Sequence, residues 1–435
     1  MATSSASGSI GGVGPTTAAE SDSAATAWRC RFCAAPISRT VIDLGMSPLC
    51  ESFLAADELD RMEPFYPLDV RICDGCLLVQ LPEYVAPEVI FSDYAYFSSY
   101  SDSFVEHARE YVTMAIERFG LGEASLVVEL ASNDGYLLRH FVERNVPVIG
   151  VEPAANVAAV TVEQLMPTRV AYFGRKTAIE LVAEGRQADL IVANNVLSQA
   201  PHLNDFVAGM AILLARDGTA TIEFPHLMRL LEANLFDTIY HEHFTYFSLL
   251  TAEKVFAAHG LTVVDLDEIP THGGSLRLYL RHAGDGTWAV SERVHEFRSR
   301  EEEAGLASLE PYPAFRGLVE ETKRSLLSFL IQAKSDGRSV VGYGAPGKAN
   351  TLLNYCGIRT DFVDYTVDRN PYKHGRFTPG THIPIYPPER IVETRPDYIW
   401  ILPWNLTDEI VTQLAYARDW GARFVIAMPE LTVLP

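Results

Sequence analysis

The clearest pattern in the chain is an unbroken apolar run that ends in a polar turn and opens into a helix, and it occurs twice. LVVELASNDGYLLRHF reads as a strand, a turn closing at Gly135 and a helix, and VPVIGVEP follows as a second strand ending in Glu152. ADLIVANNVL and GTATIEFPHL suit the fourth and fifth strands of the same sheet. Runs this apolar belong to strands covered on both faces, as in a parallel sheet wrapped by helices. The pattern returns in SVVGYGAPGKANTLLNY, with FVDYTVDRN, DYIWILPWN and RFVIAMP as later strands, so a second open α/β domain is expected. Between the two, Ser291 to about Lys334 reads as two long amphipathic helices that bridge domains. GGSLRLYLRH reads as a strand whose paired glycine marks close backbone approach.

Upstream the pattern changes. Met1 to about Ala27 is Ala, Ser, Gly and Thr with almost no large apolar residue, which predicts a disordered tail. Cys30-Arg-Phe-Cys33 and Cys73-Asp-Gly-Cys76 then bracket a short β-rich passage. Two such turns present four thiolates to one ion, and a closed tetrahedral zinc site staples a module too small for a core of its own. A redox dithiol or plain buried thiols are the rival readings, but a redox motif would stand alone beside a βαβ unit. Cys50 and Cys356 lack partner spacing and read as buried apolar residues. The expected organisation is α/β in three lobes: after the tail at 1–27, a zinc-binding module at 28–88, a doubly wound domain at 89–285 and a C-terminal open α/β domain at 286–435.

Composition narrows the class. The 435 residues are 48% hydrophobic, enough for several cores, and carry a net charge of −21, which argues against binding long nucleic-acid tracts. No run reaches the roughly 18 apolar residues of a membrane span, and no signal-peptide pattern opens the chain, so a cytoplasmic protein is expected.

Candidate chemistry concentrates in FDTIYHEHFTYF, which places Tyr240, His241, Glu242 and His243 in a row. A histidine flanked by a carboxylate and a phenol suits proton transfer near neutral pH. A metal pair of His241 and His243 ranks below a base, since the helical His-Glu-x-x-His spacing is absent. In a doubly wound sheet the first turn holds the ligand and an acid ending the second strand accepts ribose hydroxyls. Glu129, Ala131, Ser132, Asn133 and Gly135, with Glu152, Pro153, Asn194 and Asn195 at neighbouring strand ends, are therefore the candidate cofactor contacts. The turn lacks G-x-G-x-x-G, which favours a nucleoside without pyrophosphate, such as S-adenosylmethionine. Lys348 and Asn350 stand where a cation and backbone amides meet a phosphate. Tyr94, Tyr96 and Tyr100 in DYAYFSSYS face a pocket or pack between domains.

With CRFC…CDGC, FSDYAYFSSYS, VVELASNDGYLL, EFPH, YHEHF, GGSLR and GYGAPGKAN in this order, the chain resembles the zinc-containing sugar C-methyltransferases from about Trp28 onward. That resemblance implies a structural zinc on Cys30, Cys33, Cys73 and Cys76, S-adenosylmethionine in the central domain, and a dTDP-linked 4-keto deoxysugar held partly by the C-terminal domain. It implies a catalytic run of Tyr240, Glu242 and His243, with Tyr96 or Tyr94 reaching in. Glu223, His226, Gln199, His202, Lys348, Asn350 and Arg369 are the expected substrate contacts, and a monomer is expected. One departure stands out. The family commonly carries a histidine two positions before a proline where this chain reads Ser198-Gln199-Ala200-Pro201, and Gln199 cannot act as a base; His202 lies three residues on. Either an amide suffices to position substrate, or the reaction differs. Two rivals follow: a nucleotide-sugar oxidoreductase holding NAD at GYGAPGKAN with Asp368 as the ribose acid, and a zinc-stabilised binding scaffold without turnover.

Overall fold

The computed structural model describes residues 28–91, 97–163, 166–284 and 288–435. The predicted tail and Tyr94 and Tyr96 lie outside them.

The central sheet has seven strands in the spatial order Leu261–Ile269, Ser275–His282, Leu214–Pro225, Ala188–Asn194, Val127–Leu130, Val148–Glu152, Thr168–Val170. All run parallel except Ser275–His282, which is inserted antiparallel near one edge. Val127–Leu130 and Val148–Glu152 are buried at every position, the reason their sequences read as continuous apolar runs. Strand order reverses between Val127–Leu130 and Ala188–Asn194, opening a crevice beyond their carboxyl ends, where such sheets take ligands.

The C-terminal sheet repeats the winding on a smaller scale. Its order is Ile385–Tyr386, Thr366–Val367, Val340–Tyr343, Tyr398–Ile401, Arg423–Ile426, Thr432–Leu434, parallel except for the last strand. The predicted bridging helices form as Glu292–Glu303 and Tyr312–Ser335.

The N-terminal module is an antiparallel sheet of Arg39–Ser47, Tyr66–Ile72 and Val79–Gln80, and its fourth strand, Thr245–Tyr246, comes from the central lobe immediately after the Tyr240–His243 run. One cluster of buried apolar side chains runs from Ile42 and Leu68 through Phe224 and Phe256 to Leu326, Leu352 and Trp400. The three lobes thus share a core, and the cleft between them has packed walls.

Candidate active site

The four paired cysteines converge. Cys30 and Cys76 sulfurs stand 3.5 Å apart, as do those of Cys33 and Cys73, and all four lie within 4.8 Å of one another. A tetrahedron with 2.3 Å bonds has edges of roughly 3.8 Å, so the set fits zinc. Each Cys-x-x-Cys ends in a left-handed non-glycine residue, Ala34 at φ 60° and Leu77 at φ 67°, whose amide closes the turn on the carbonyl of the first cysteine. The closed ligand set leaves no open position, and the metal's part here is to fix the sheet that the segment after Tyr240–His243 joins.

That run is held from both sides. The Leu81 amide donates to the Phe244 carbonyl and the Phe244 amide to the Ser198 carbonyl, at 2.9 and 2.8 Å. His241 turns toward the zinc module, hydrogen-bonded through Nε2 to the Pro67 carbonyl at 3.1 Å, and so does not pair with His243 on a metal. Tyr240, Glu242 and His243 line a cleft of about 720 Å³ bounded by all three lobes. Nδ1 of His243 donates to the Thr238 carbonyl at 2.9 Å, which leaves Nε2 as the basic nitrogen. Burial lowers its pKa to about 4, with the Lys348 charge acting in the same direction, so the ring is neutral at working pH. The Tyr240 ring lies 4.1 Å from it, and burial followed by the Glu242 charge raises that phenol, keeping it a proton donor. Cys50, read from sequence as merely apolar, donates its thiol to Glu242 at 3.3 Å.

The first turn of the central sheet is built for a cationic nucleoside. Ala131 and Asn133 adopt left-handed backbone at φ 56° and 49°, Gly135 follows at 77°, and a Cβ on Gly135 would strike Met166 at 2.3 Å. Glu152 accepts from the amides of Asn133 and Ala154 at 2.9 and 2.8 Å and still lines the cleft. Burial raises its carboxyl above the usual range. Glu129, 1% exposed, is pushed well up by burial and then by Asp134 and Glu152, and its Oε2 has no hydrogen-bond partner. Three acids gathered this closely, with orphaned oxygens also on Asp134, Asn194 and Asn195, match a ligand that brings ammonium, sulfonium and ribose hydroxyls. Of the predicted cofactor contacts, Ala131, Asn133, Glu152, Pro153, Asn194 and Asn195 border the cleft, whereas Glu129, Ser132 and Gly135 lie behind that surface.

The predicted substrate residues divide. Gln199, His202 and Lys348 line the cleft. Glu223 does not; it is locked to Arg277 and His107, which outweigh burial and hold its carboxyl below the usual range. His226 bonds Glu301 at 2.7 Å, whose carboxylate also takes the Leu249 and Leu250 amides at a helix start. Asn350 is fully buried and donates to the Cys50 carbonyl at 2.6 Å, tying lobe to lobe. Arg369 pairs with Asp102 and Glu409 outside the cleft lining. Of the three predicted tyrosines, Tyr94 and Tyr96 lie outside the described residues, and Tyr100 packs against Phe97 and Tyr372 and is 47% exposed.

Among the cleft residues that sequence reading missed are His272 and Glu51. His272 sits at φ 55° just before Gly273 and Gly274, its ring edge on Phe104, and burial lowers it to about 3. The glycine pair was the available signal, since a Cβ on Gly273 would meet Trp404 of the C-terminal lobe at 2.5 Å. Glu51 reaches from the zinc module to the start of the helix Gly347–Cys356, with no local pattern to announce it.

Three family models match in succession: a zinc binding domain over 30–91, a methyltransferase domain over 104–266, and a C-methyltransferase C-terminal domain over 270–429. Among solved structures, magnesium protoporphyrin IX methyltransferase from Synechocystis PCC 6803 with bound S-adenosylhomocysteine covers 41% of this chain and 83% of its own at 12% identity and TM-score 0.33. An S-adenosylmethionine-dependent methyltransferase from Clostridium acetobutylicum covers 41% and 92% at 12% identity and TM-score 0.34. The C-methyltransferase NovU of Streptomyces niveus is 34% identical over 405 residues, 93% of this chain and 96% of that protein. With that identity sustained across all three lobes, over a zinc-ready cysteine cluster and an acid-lined nucleoside turn, the chain belongs to the S-adenosylmethionine-dependent C-methyltransferases.

Proposed function

We propose that this enzyme methylates the carbon beside the ketone of a dTDP-linked 4-keto deoxysugar, at C3. The observation that carries the reading is the cleft end where His243 presents an unprotonated Nε2 beside Tyr240 and Glu242, opposite the acid-lined turn. A ketone acidifies the neighbouring C–H, so a positioned neutral imidazole is a fitting base for it. S-adenosylmethionine, when bound, supplies an electrophilic methyl. Glu152 orients the ribose, the charge of Glu129 and Asp134 just behind the cleft surface favours the cationic end, and the cleft walls align carbon and methyl, a displacement governed by positioning. Gln199 and His202 both reach the cleft, so an amide at the family's histidine position holds substrate without serving as base. The sugar lies between the Tyr240–His243 run and the C-terminal lobe. The working units are 28–88, 89–285 and 286–435 of a cytoplasmic monomer; among the described residues no helix is long and apolar enough to cross a membrane.

The NAD alternative loses its support at Asp368, which accepts from the Ala345 and Asn370 amides at 2.7 and 2.8 Å and, unlike the similarly bonded Glu152, does not border the cleft. Incubation with a panel of dTDP-4-keto sugars tests the proposal. Gain of one CH2 unit by mass, with loss of the C3 hydrogen by NMR, is the expected result; no gain with any 4-keto sugar sinks it.

A further inference from the structure

Lys348 was expected at a phosphate, but the place for that phosphate is taken. The amide end of the helix Gly347–Cys356 meets Glu51, and a Cβ on Gly347 would stand 2.8 Å from its Oε1. A resident carboxylate repels a diphosphate there. Lys348 instead extends into the cleft. Its Nζ donates to Asn405 Oδ1 at 2.5 Å and lies 4.7 Å over the Trp404 ring. Trp404 is fixed in turn by its Nε1–H on Asp237 Oδ2 at 2.6 Å and by the absent side chain of Gly273. An ammonium has three donors, and one is used. The other lysine among the described cleft residues, Lys176, is exposed on the cofactor side, in the helix Arg175–Ala183.

We infer that Lys348 is a catalytic residue, the electrophile that receives negative charge on the ketone oxygen as the neighbouring carbon is deprotonated. The inference rests on the keto-sugar reading above. The C3–H bond breaks and its proton passes to Nε2 of His243; the electron pair becomes the C3–C4 double bond, and the carbonyl π pair moves to the oxygen, which meets an N–H of Lys348. The ketone is restored when C3 forms its new carbon–carbon bond. Asp237 stands behind the ammonium as its counter-ion, its Oδ1 without a hydrogen-bond partner. Burial lowers the Lys348 pKa while Asp237 opposes that shift, bringing the ammonium closer in acidity to the enol it serves.

The half-reaction isolates this role. Solvent deuterium exchange at C3 of the keto sugar, with S-adenosylhomocysteine in the cofactor site, should fall about 10²- to 10³-fold in Lys348→Ala, the usual loss for one oxyanion donor. KM should move only a few-fold, and added ethylammonium should restore part of the exchange. Asn405→Leu keeps the ammonium but frees it, and should slow exchange less with an unchanged melting midpoint, which reads the same role if Lys348→Ala is unstable. Near-normal exchange in either variant, or a raised KM at full exchange, overturns the inference and returns Lys348 to nucleotide binding. A wild-type enzyme that exchanges and methylates no keto sugar overturns the substrate reading, and this inference with it.

Discussion

The two α/β lobes wind their first five strands in the same order and both first turns border the cleft, yet they present different groups to it. In the central lobe the turn Ala131–Gly135 gathers Glu129, Asp134 and Glu152, and the first two of these each keep an oxygen without a hydrogen-bond partner. In the C-terminal lobe the equivalent turn is closed from within: Asp368 takes the Ala345 amide, Lys373 donates to the Ala345 carbonyl at 2.8 Å, and Glu51 caps the helix. A strand–glycine turn–helix is a ligand site only where the rest of the chain leaves its polar groups unsatisfied. Where its turn is already held by resident side chains, as at Asp368, Lys373 and Glu51, the same geometry becomes a wall, here one that carries Lys348.

The zinc module creates much of this difference, since it supplies Glu51 and the sheet that the segment after Tyr240–His243 joins. Cys73→Ser therefore has the largest expected effect. Structural zinc sites contribute on the order of 10 kcal/mol of folding free energy, so the variant should be insoluble or melt far below wild type. Metal-free protein of full stability would refute the structural role.

Next is His243→Asn, which keeps a donor toward the Thr238 carbonyl and removes the proton acceptor. Turnover should drop about 10²- to 10⁴-fold with C3 exchange slowed in parallel. Normal exchange with failed methylation moves the base to Tyr240 or Glu242.

How far these assignments were legible in sequence depends on how local their causes are. Both sheets were readable because strands buried on both faces must be apolar, and the zinc site because two local turns carry all four ligands. The Tyr240–His243 run announced itself by composition. Its support did not: Cys50 meets Glu242 across 192 positions of chain. His226 and Asn350 looked like site residues and are instead joints between elements, because their partners, Glu301 and the Cys50 carbonyl, are set by tertiary packing alone. His272 was marked only indirectly, by the glycine pair that follows it, since its own left-handed backbone leaves no mark on composition.

A direct contrast of the two turns uses their acids. Glu152→Ala should weaken S-adenosylmethionine roughly 10- to 100-fold through lost hydrogen bonds to a charged acceptor, while Asp368→Ala leaves that affinity unchanged. Calorimetry showing equal losses would erase the distinction between the lobes. Glu129 sharpens it further. With its folded carboxyl raised by burial and neighbouring acids, it holds a proton above the ordinary glutamate range, and a cationic ligand should expel it. Binding measured in buffers of different ionisation enthalpy should show release of up to about one proton, abolished in Glu129→Gln.

The smallest effect belongs to Glu51→Gln. Burial raises the Glu51 carboxyl in spite of Lys373 and the Gly347 amide. A group raised in this way lends its stability fully below the unfolded value near 4.3 and loses it as pH climbs through the folded value. Glutamine is fixed in the neutral form and escapes that loss. The variant should therefore match wild type in acid and melt slightly higher toward neutral pH, the gap widening with pH, while S-adenosylmethionine affinity stays constant because the central turn is untouched. A variant that melts lower at neutral pH would mean that the carboxylate's charge on the helix end outweighs its burial, and the C-terminal turn would then be closed by an ion it needs rather than by one it tolerates.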